Sequence, residues 1–212
     1  MDIRTIETTT HGRYLVEGPP GAPMLVGFHG YMENAAITMD ILRRIVGDRD
    51  WLMVSVQGLH RFYNRGHDVV IANWMTSEDR ELAIADNIAY VKAVLDTVRR
   101  EYSSRAPVVF VGFSQGVAMA YRAAAFAGPG HGLILLAGDV PPDVSPLVHT
   151  LPPILLGRGA KDDWYTPSKA ANDVAQLKSA GVQFEEFVFD GGHEWDEAFM
   201  TRAQQFLTYT VP

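Results

Sequence analysis

The chain carries Gly112-Phe113-Ser114-Gln115-Gly116, a G-x-S-x-G pentapeptide. It follows the apolar run VVFVGF directly and opens a stretch of small residues with helical character. A sharp strand-to-helix turn needs small residues on both sides of its tip, because a Cβ there collides with the crossing backbone. Such a turn holds the serine hydroxyl clear at a helix N-terminus, where developing negative charge is favoured. The chemistry implied is nucleophilic attack by Ser114 on a carbonyl carbon. The plainer alternative is a glycine-rich turn with a capping serine.

A serine nucleophile needs a base, an acid to orient that base, and two N–H donors for an oxyanion. Seven histidines compete for the first role. His131 and His149 precede apolar runs and so sit at the wrong end of a strand. His11 lies in an N-terminal hairpin segment, and His60 and His67 in a long irregular loop. His29 belongs to the loop Phe28-His29-Gly30-Tyr31 and is expected to point inward and fix it. His193, in DGGHEW, follows the last apolar run, in keeping with the order Ser…Asp…His. The acid candidates at strand ends are Asp139, Asp143, Asp162, Asp163 and Asp190, with Asp162 preferred over Asp163. The oxyanion donors are expected from the N–H groups of Gln115 and Tyr31, with Gly30 letting the backbone turn toward the site.

These residues must be held by regular elements. Short apolar runs occur at Met24–Phe28, Trp51–Val56, Val108–Phe113, Leu133–Ala137, Ile154–Gly157 and Phe184–Phe189. The first five are nearly continuous, as parallel strands buried on both faces are; the sixth alternates and suits a sheet edge. Ile3–Thr8 and Arg13–Glu17 read as an N-terminal hairpin. Helices are expected over Arg80–Tyr102, Gln115–Ala127, Ser168–Ala180 and Glu194–Tyr209. Strand–helix alternation predicts a single α/β domain over 1–212, with a mostly parallel sheet covered by helices on both faces. Functional groups then gather at the C-terminal strand ends, where every favoured site residue falls.

The chain has 212 residues, 47% of them hydrophobic, and no cysteine, which excludes thiolate chemistry, disulfides and Cys-based metal sites. Its formal charge of −7 disfavours nucleic acid and anionic membrane surfaces. No apolar run approaches a membrane span and the first residues lack a signal-peptide core, so a cytoplasmic protein is expected. No H-x-x-x-H pair or histidine cluster suggests a metal. Oligomeric state, including a homodimer, stays open.

Taken together these motifs resemble the α/β-hydrolase superfamily, and more narrowly the phospholipase/carboxylesterase family with its acyl-protein thioesterase-like members. The matching pieces are His29-Gly30, the GFSQG turn at 112–116, the G-x-x-D at Gly159–Asp162 and the GGHEW at 191–195. The G-x-x-D spacing favours Asp162 as the acid. The resemblance implies hydrolysis of a small-molecule carboxylic ester or thioester by Ser114, His193 and Asp162, without a cofactor. Two stretches depart from it: Ser55-Val56-Gln57-Gly58 matches a Pro-containing family segment only roughly, and Gly58–Asp79 carries no family substrate signature. Dienelactone hydrolases share fold and size but typically use a cysteine.

Only Gly138–Pro153 separates two successive strands at the position where many relatives insert a cap, so no cap domain is expected. Phe62, Tyr63, Trp74, Trp164 and Trp195, with Tyr31, are expected to line a shallow apolar pocket. Arg61 and Arg65 could bind an anionic substrate group, but a solvated surface is favoured for them. The alternatives are a catalytically silent ligand-binding relative, a dienelactone-hydrolase-like enzyme, or another non-esterase hydrolase.

Overall fold

Runs of Val, Ile, Leu and Phe with no polar face bury both sides of a strand, and they form the middle of the sheet. The computed structural model describes residues 1–211. In chain order its strands are β1 (Arg13–Glu17), β2 (Met24–Phe28), β3 (Leu52–Gln57), β4 (His60–Tyr63), β5 (Val70–Asn73), β6 (Val108–Phe113), β7 (Gly132–Leu136), β8 (Ile154–Gly159) and β9 (Phe184–Phe189). The helices are α1 (Ala35–Val46), α2 (Arg80–Glu101), α3 (Gln115–Arg122), α4 (Pro167–Ser179) and α5 (Glu197–Thr210).

Among the described residues, seven strands form one sheet in the order β1-β3-β2-β6-β7-β8-β9. Only β1 runs antiparallel to its neighbour, β3. All others pair in parallel. Every residue of β2, β3, β6 and β7 is buried. The edge strand β9 alternates in burial, as its sequence suggests. On one face the sheet packs on α2 and α3 through Val91, Leu95, Val98, Val117 and Ala120. On the other it packs on α1 and α5 through Met39, Leu42, Ile45, Phe199 and Phe206. This is the α/β-hydrolase architecture. Between β7 and β8 lies only a 3₁₀ turn, Ser145–Thr150, and no cap domain is evident.

Several elements differ from the sequence expectation. Ile3–Thr8 forms no strand, so there is no N-terminal hairpin; Arg13–Glu17 instead adds to the edge at β3. The helix α1 was not anticipated, although Asn34 caps it by accepting the Ala36 and Ile37 N–H groups and Gly47 ends it. The supposed irregular loop after β3 is a two-stranded hairpin, β4 and β5. The helix read over Gln115–Ala127 is α-helical only to Arg122 and passes into a π-helical turn, Ala123–Ala127. The last helix starts at Glu197 rather than Glu194, because the Asp196 side chain caps the Ala198 and Phe199 N–H groups.

Candidate active site

Ser114 stands between β6 and α3 with φ 52° and ψ −118°, a conformation that L residues rarely adopt. Its N–H donates to the Leu136 carbonyl at 2.9 Å, pinning the turn to β7. The two flanking glycines are required by space. A Cβ on Gly116 would lie 2.1 Å from the Phe28 carbonyl oxygen, and one on Gly112 would lie 2.6 Å from the Gly116 carbonyl.

The loops after β8 and β9 bring two further groups to this turn. His193 Nε2 lies 2.7 Å from Ser114 Oγ, and His193 Nδ1 lies 2.9 Å from Asp162 Oδ2. With the ring proton on Nδ1, the imidazole donates to the carboxylate and accepts from the hydroxyl. Asp162 Oδ1 is occupied separately, accepting the Trp164 and Tyr165 N–H groups at 2.8 and 2.9 Å. Burial works to raise the Asp162 carboxyl, but the Tyr165 N–H, the His193 ring and the Trp164 N–H outweigh it and hold it below the ordinary value. The two loops are stitched together by the Lys161 N–H donating to the Gly191 carbonyl at 2.9 Å. Gly159 permits this approach, since a Cβ there would sit 2.2 Å from the Gly192 carbonyl oxygen.

The other acids are placed elsewhere. Asp163 and Asp139 face solvent. Asp143 pairs with Arg122, and Asp190 pairs with Lys161. Among the other histidines, His131 sits at the start of β7, where its Nδ1 accepts the Val108 N–H. His60 lies on the exposed strand β4.

The loop after β2 supplies backbone donors. The Gly30 N–H donates to the Glu33 carboxylate at 2.7 Å, the Met32 N–H to the Ala72 carbonyl and the Glu33 N–H to the Gly30 carbonyl. Among the described residues, the Tyr31 N–H meets no protein acceptor. Gln115 is the first residue of α3, so its N–H has no carbonyl within the helix to meet. His29 is fully buried and stacked on Trp74 at 5.1 Å. Its Nε2 accepts the Gly58 N–H at 2.9 Å and its Nδ1 faces the Gly30 carbonyl at 2.7 Å. Burial lowers the His29 ring to about 4. The Gln115 side chain also braces the site from the far side, accepting from the Trp74 N–H and donating to the Met75 carbonyl.

A cavity of about 400 Å³ opens beside Ser114 and His193, lined also by Met75, Arg80, Arg122, Trp164 and Lys169. Of the expected lining aromatics, only Trp164 faces it. Trp74 is instead fully buried, its indole N–H donating to the His29 carbonyl, because an indole that fills the core needs an acceptor there. Trp195 packs on Phe113 and Phe199. Phe62 and Tyr63 lie on the exposed hairpin strand, where Phe62 meets Tyr31 at 6.4 Å. The sequence reading missed Glu33, which braces the loop after β2, and the pairing of buried Arg122 with half-buried Asp143. No spacing rule marks a glutamate three residues past a glycine, and nothing local marks an arginine on an apolar helix as buried.

Among the described residues, no helix is long and apolar enough to cross a membrane, and no group of three or more His, Asp or Glu side chains is arranged to hold a metal ion. The chain matches the family model described as Phospholipase/Carboxylesterase over residues 24–211. No curated protein matches it. Among solved structures it is similar to a Bacillus cereus carboxylesterase, at 17% identity and a TM-score of 0.75, covering 94% of each chain. It is also similar to acyl-protein thioesterase 2 of Zea mays, at 19% identity and a TM-score of 0.72, covering 95% of this chain and 100% of that one.

Proposed function

Since the chain belongs to the phospholipase/carboxylesterase family of esterase-type hydrolases, we propose that it cleaves a carboxylic ester or thioester through an acyl-enzyme on Ser114. The observation that carries this reading is the hydrogen-bonded run from Ser114 Oγ through His193 to Asp162. Ser114 Oγ attacks the carbonyl carbon as His193 Nε2 takes its proton. The carbonyl oxygen, now an oxyanion, accepts from the Gln115 and Tyr31 N–H groups. As the tetrahedral intermediate collapses, His193 gives its proton to the leaving alcohol or thiol. A water then attacks the acyl carbon, losing a proton to His193, and the acid departs as Ser114 is restored. Asp162 stays ionised throughout, consistent with its lowered pKa, and supports the imidazolium.

The test is hydrolysis of 4-nitrophenyl esters of increasing acyl length by the parent and by Ser114→Ala. The variant should lose at least about 10⁴-fold in rate. Retained activity in the variant would remove Ser114 from the mechanism. A parent that turns over no ester or thioester would favour a silent ligand-binding relative.

A further inference from the structure

The chain has a formal charge of −7, yet the cavity beside Ser114 is lined by Arg80, Arg122 and Lys169 against the single acid Asp139 among the described residues. Arg122 is wholly buried. It donates from Nε and Nη2 to Asp143 at 2.8 and 2.7 Å, while its Nη1 meets only the Met75 and Met119 sulfurs, at 4.0 and 3.9 Å. A buried guanidinium nitrogen with only thioether acceptors is under-satisfied, since sulfur accepts weakly. Arg80 makes no ion pair among the described residues. Lys169 donates to the Trp164 carbonyl at 2.9 Å, which leaves its other N–H bonds free.

The helices bear on this field. Both α2 and α3 begin at the cavity, and neither Asp79 nor Ser114 caps its helix with a side-chain hydrogen bond. The first-turn N–H groups of α3 therefore contribute positive potential in the same concavity as the cations, while at α2 the acidic Asp79 and Glu81 offset that of the backbone. The apolar side chains in the lining, Met75, Ala118, Ala137, Trp164 and Tyr165, are outnumbered by polar ones, which makes no groove for a long aliphatic chain. At about 400 Å³ the volume suits a short substrate.

On the strength of the reading of Ser114 as nucleophile, we infer that the substrate is a small ester or thioester bearing an anionic group, a carboxylate or phosphate, held by Arg80 and Lys169 with Arg122 behind them. The electrostatic attraction concentrates such a molecule at the cavity and orients its carbonyl toward Ser114.

Two matched pairs test this, one for each side of the scissile bond. The acyl pair is mono-4-nitrophenyl glutarate against 4-nitrophenyl pentanoate. The leaving-group pair is 4-acetoxybenzoate against its methyl ester. Rates are corrected with Ser114→Ala for hydrolysis assisted by the substrate's own carboxylate. In at least one pair, kcat/KM should favour the anion by about tenfold or more at low salt, and this preference should shrink as salt rises. Arg80→Gln and Lys169→Gln, both at exposed positions, should each cut the preference, read as the ratio of kcat/KM for the anion to that for its neutral partner. If neutral partners win in both pairs while a fluorophosphonate still labels Ser114, the anionic substrate is overturned and the serine hydrolase stands. If the parent neither labels nor turns over any of the four, the serine hydrolase falls, and the inferred substrate with it.

Discussion

Asp162 shows how one side chain's two oxygens divide a task. Oδ1 accepts two backbone N–H groups and Oδ2 faces His193. In Asp162→Asn those backbone donors hold the amide oxygen in place, so its NH₂ faces the ring. That forces the imidazole proton to Nε2, where it cannot accept from Ser114. We expect kcat to fall by about 10⁴-fold with KM little changed, read from ester saturation curves. Two other buried groups set opposing pH dependences of stability. Burial raises the Asp173 carboxyl to about 6 from 3.8, despite donors from Tyr165 and Val140. The folded chain then keeps a proton the unfolded chain releases, so this contribution to stability is lost as pH rises through that window. His29, lowered by burial from 6.5 to about 4, binds fewer protons when folded, so its contribution is lost as pH falls. Urea unfolding of Asp173→Asn should therefore gain on the parent as pH rises from 4 to 7, by at most about 3 kcal/mol. A constant difference between the two proteins would contradict the buried carboxyl.

At the scale of elements, the candidate site depends on how closely three loops approach. The loops after β8 and β9 meet at Gly159, where a Cβ would stand 2.2 Å from the Gly192 carbonyl oxygen and 2.3 Å from that of Gly191. Gly159→Ala should push Asp162 and His193 apart. Its kcat should drop by about tenfold or more, with a lowered Tm from the overpacking. An unchanged kcat would mean that the loops need not touch. The end of β8 was legible in the sequence because that strand is largely buried and reads as an apolar run, and β9 because its alternating pattern suits a sheet edge. The element α1 escaped notice although Asn34, Gly47 and the apolar positions Met39, Leu42 and Ile45 mark it. The β4–β5 hairpin was hidden because its strands are short and β4 is exposed throughout, so no buried alternation betrays it. The N-terminal strand at Ile3–Thr8 failed for the converse reason. Its apolar residues Ile3 and Ile6 find no core to enter and stay exposed.

For the molecule as a whole, parallel β–α connections put the N-termini of α2, α3 and α4 and the C-terminal ends of β6 and β8 on one side of the sheet. That placement is why Ser114, Asp162 and His193, separated by up to 79 positions, could be singled out from strand order. Side chains that depend on three-dimensional packing were less legible. Trp74 looked like a pocket aromatic because it follows a loop-like stretch, yet it fills the core beneath His29. In the proposed mechanism the fold turns Ser114 into a nucleophile through His193. This is tested most directly by intact-mass measurement after exposure to a fluorophosphonate. The parent should gain one phosphonyl adduct, mapped by peptide digestion to Ser114, and Ser114→Ala should gain none. An unlabelled parent, or an adduct that persists in the variant, would contradict it.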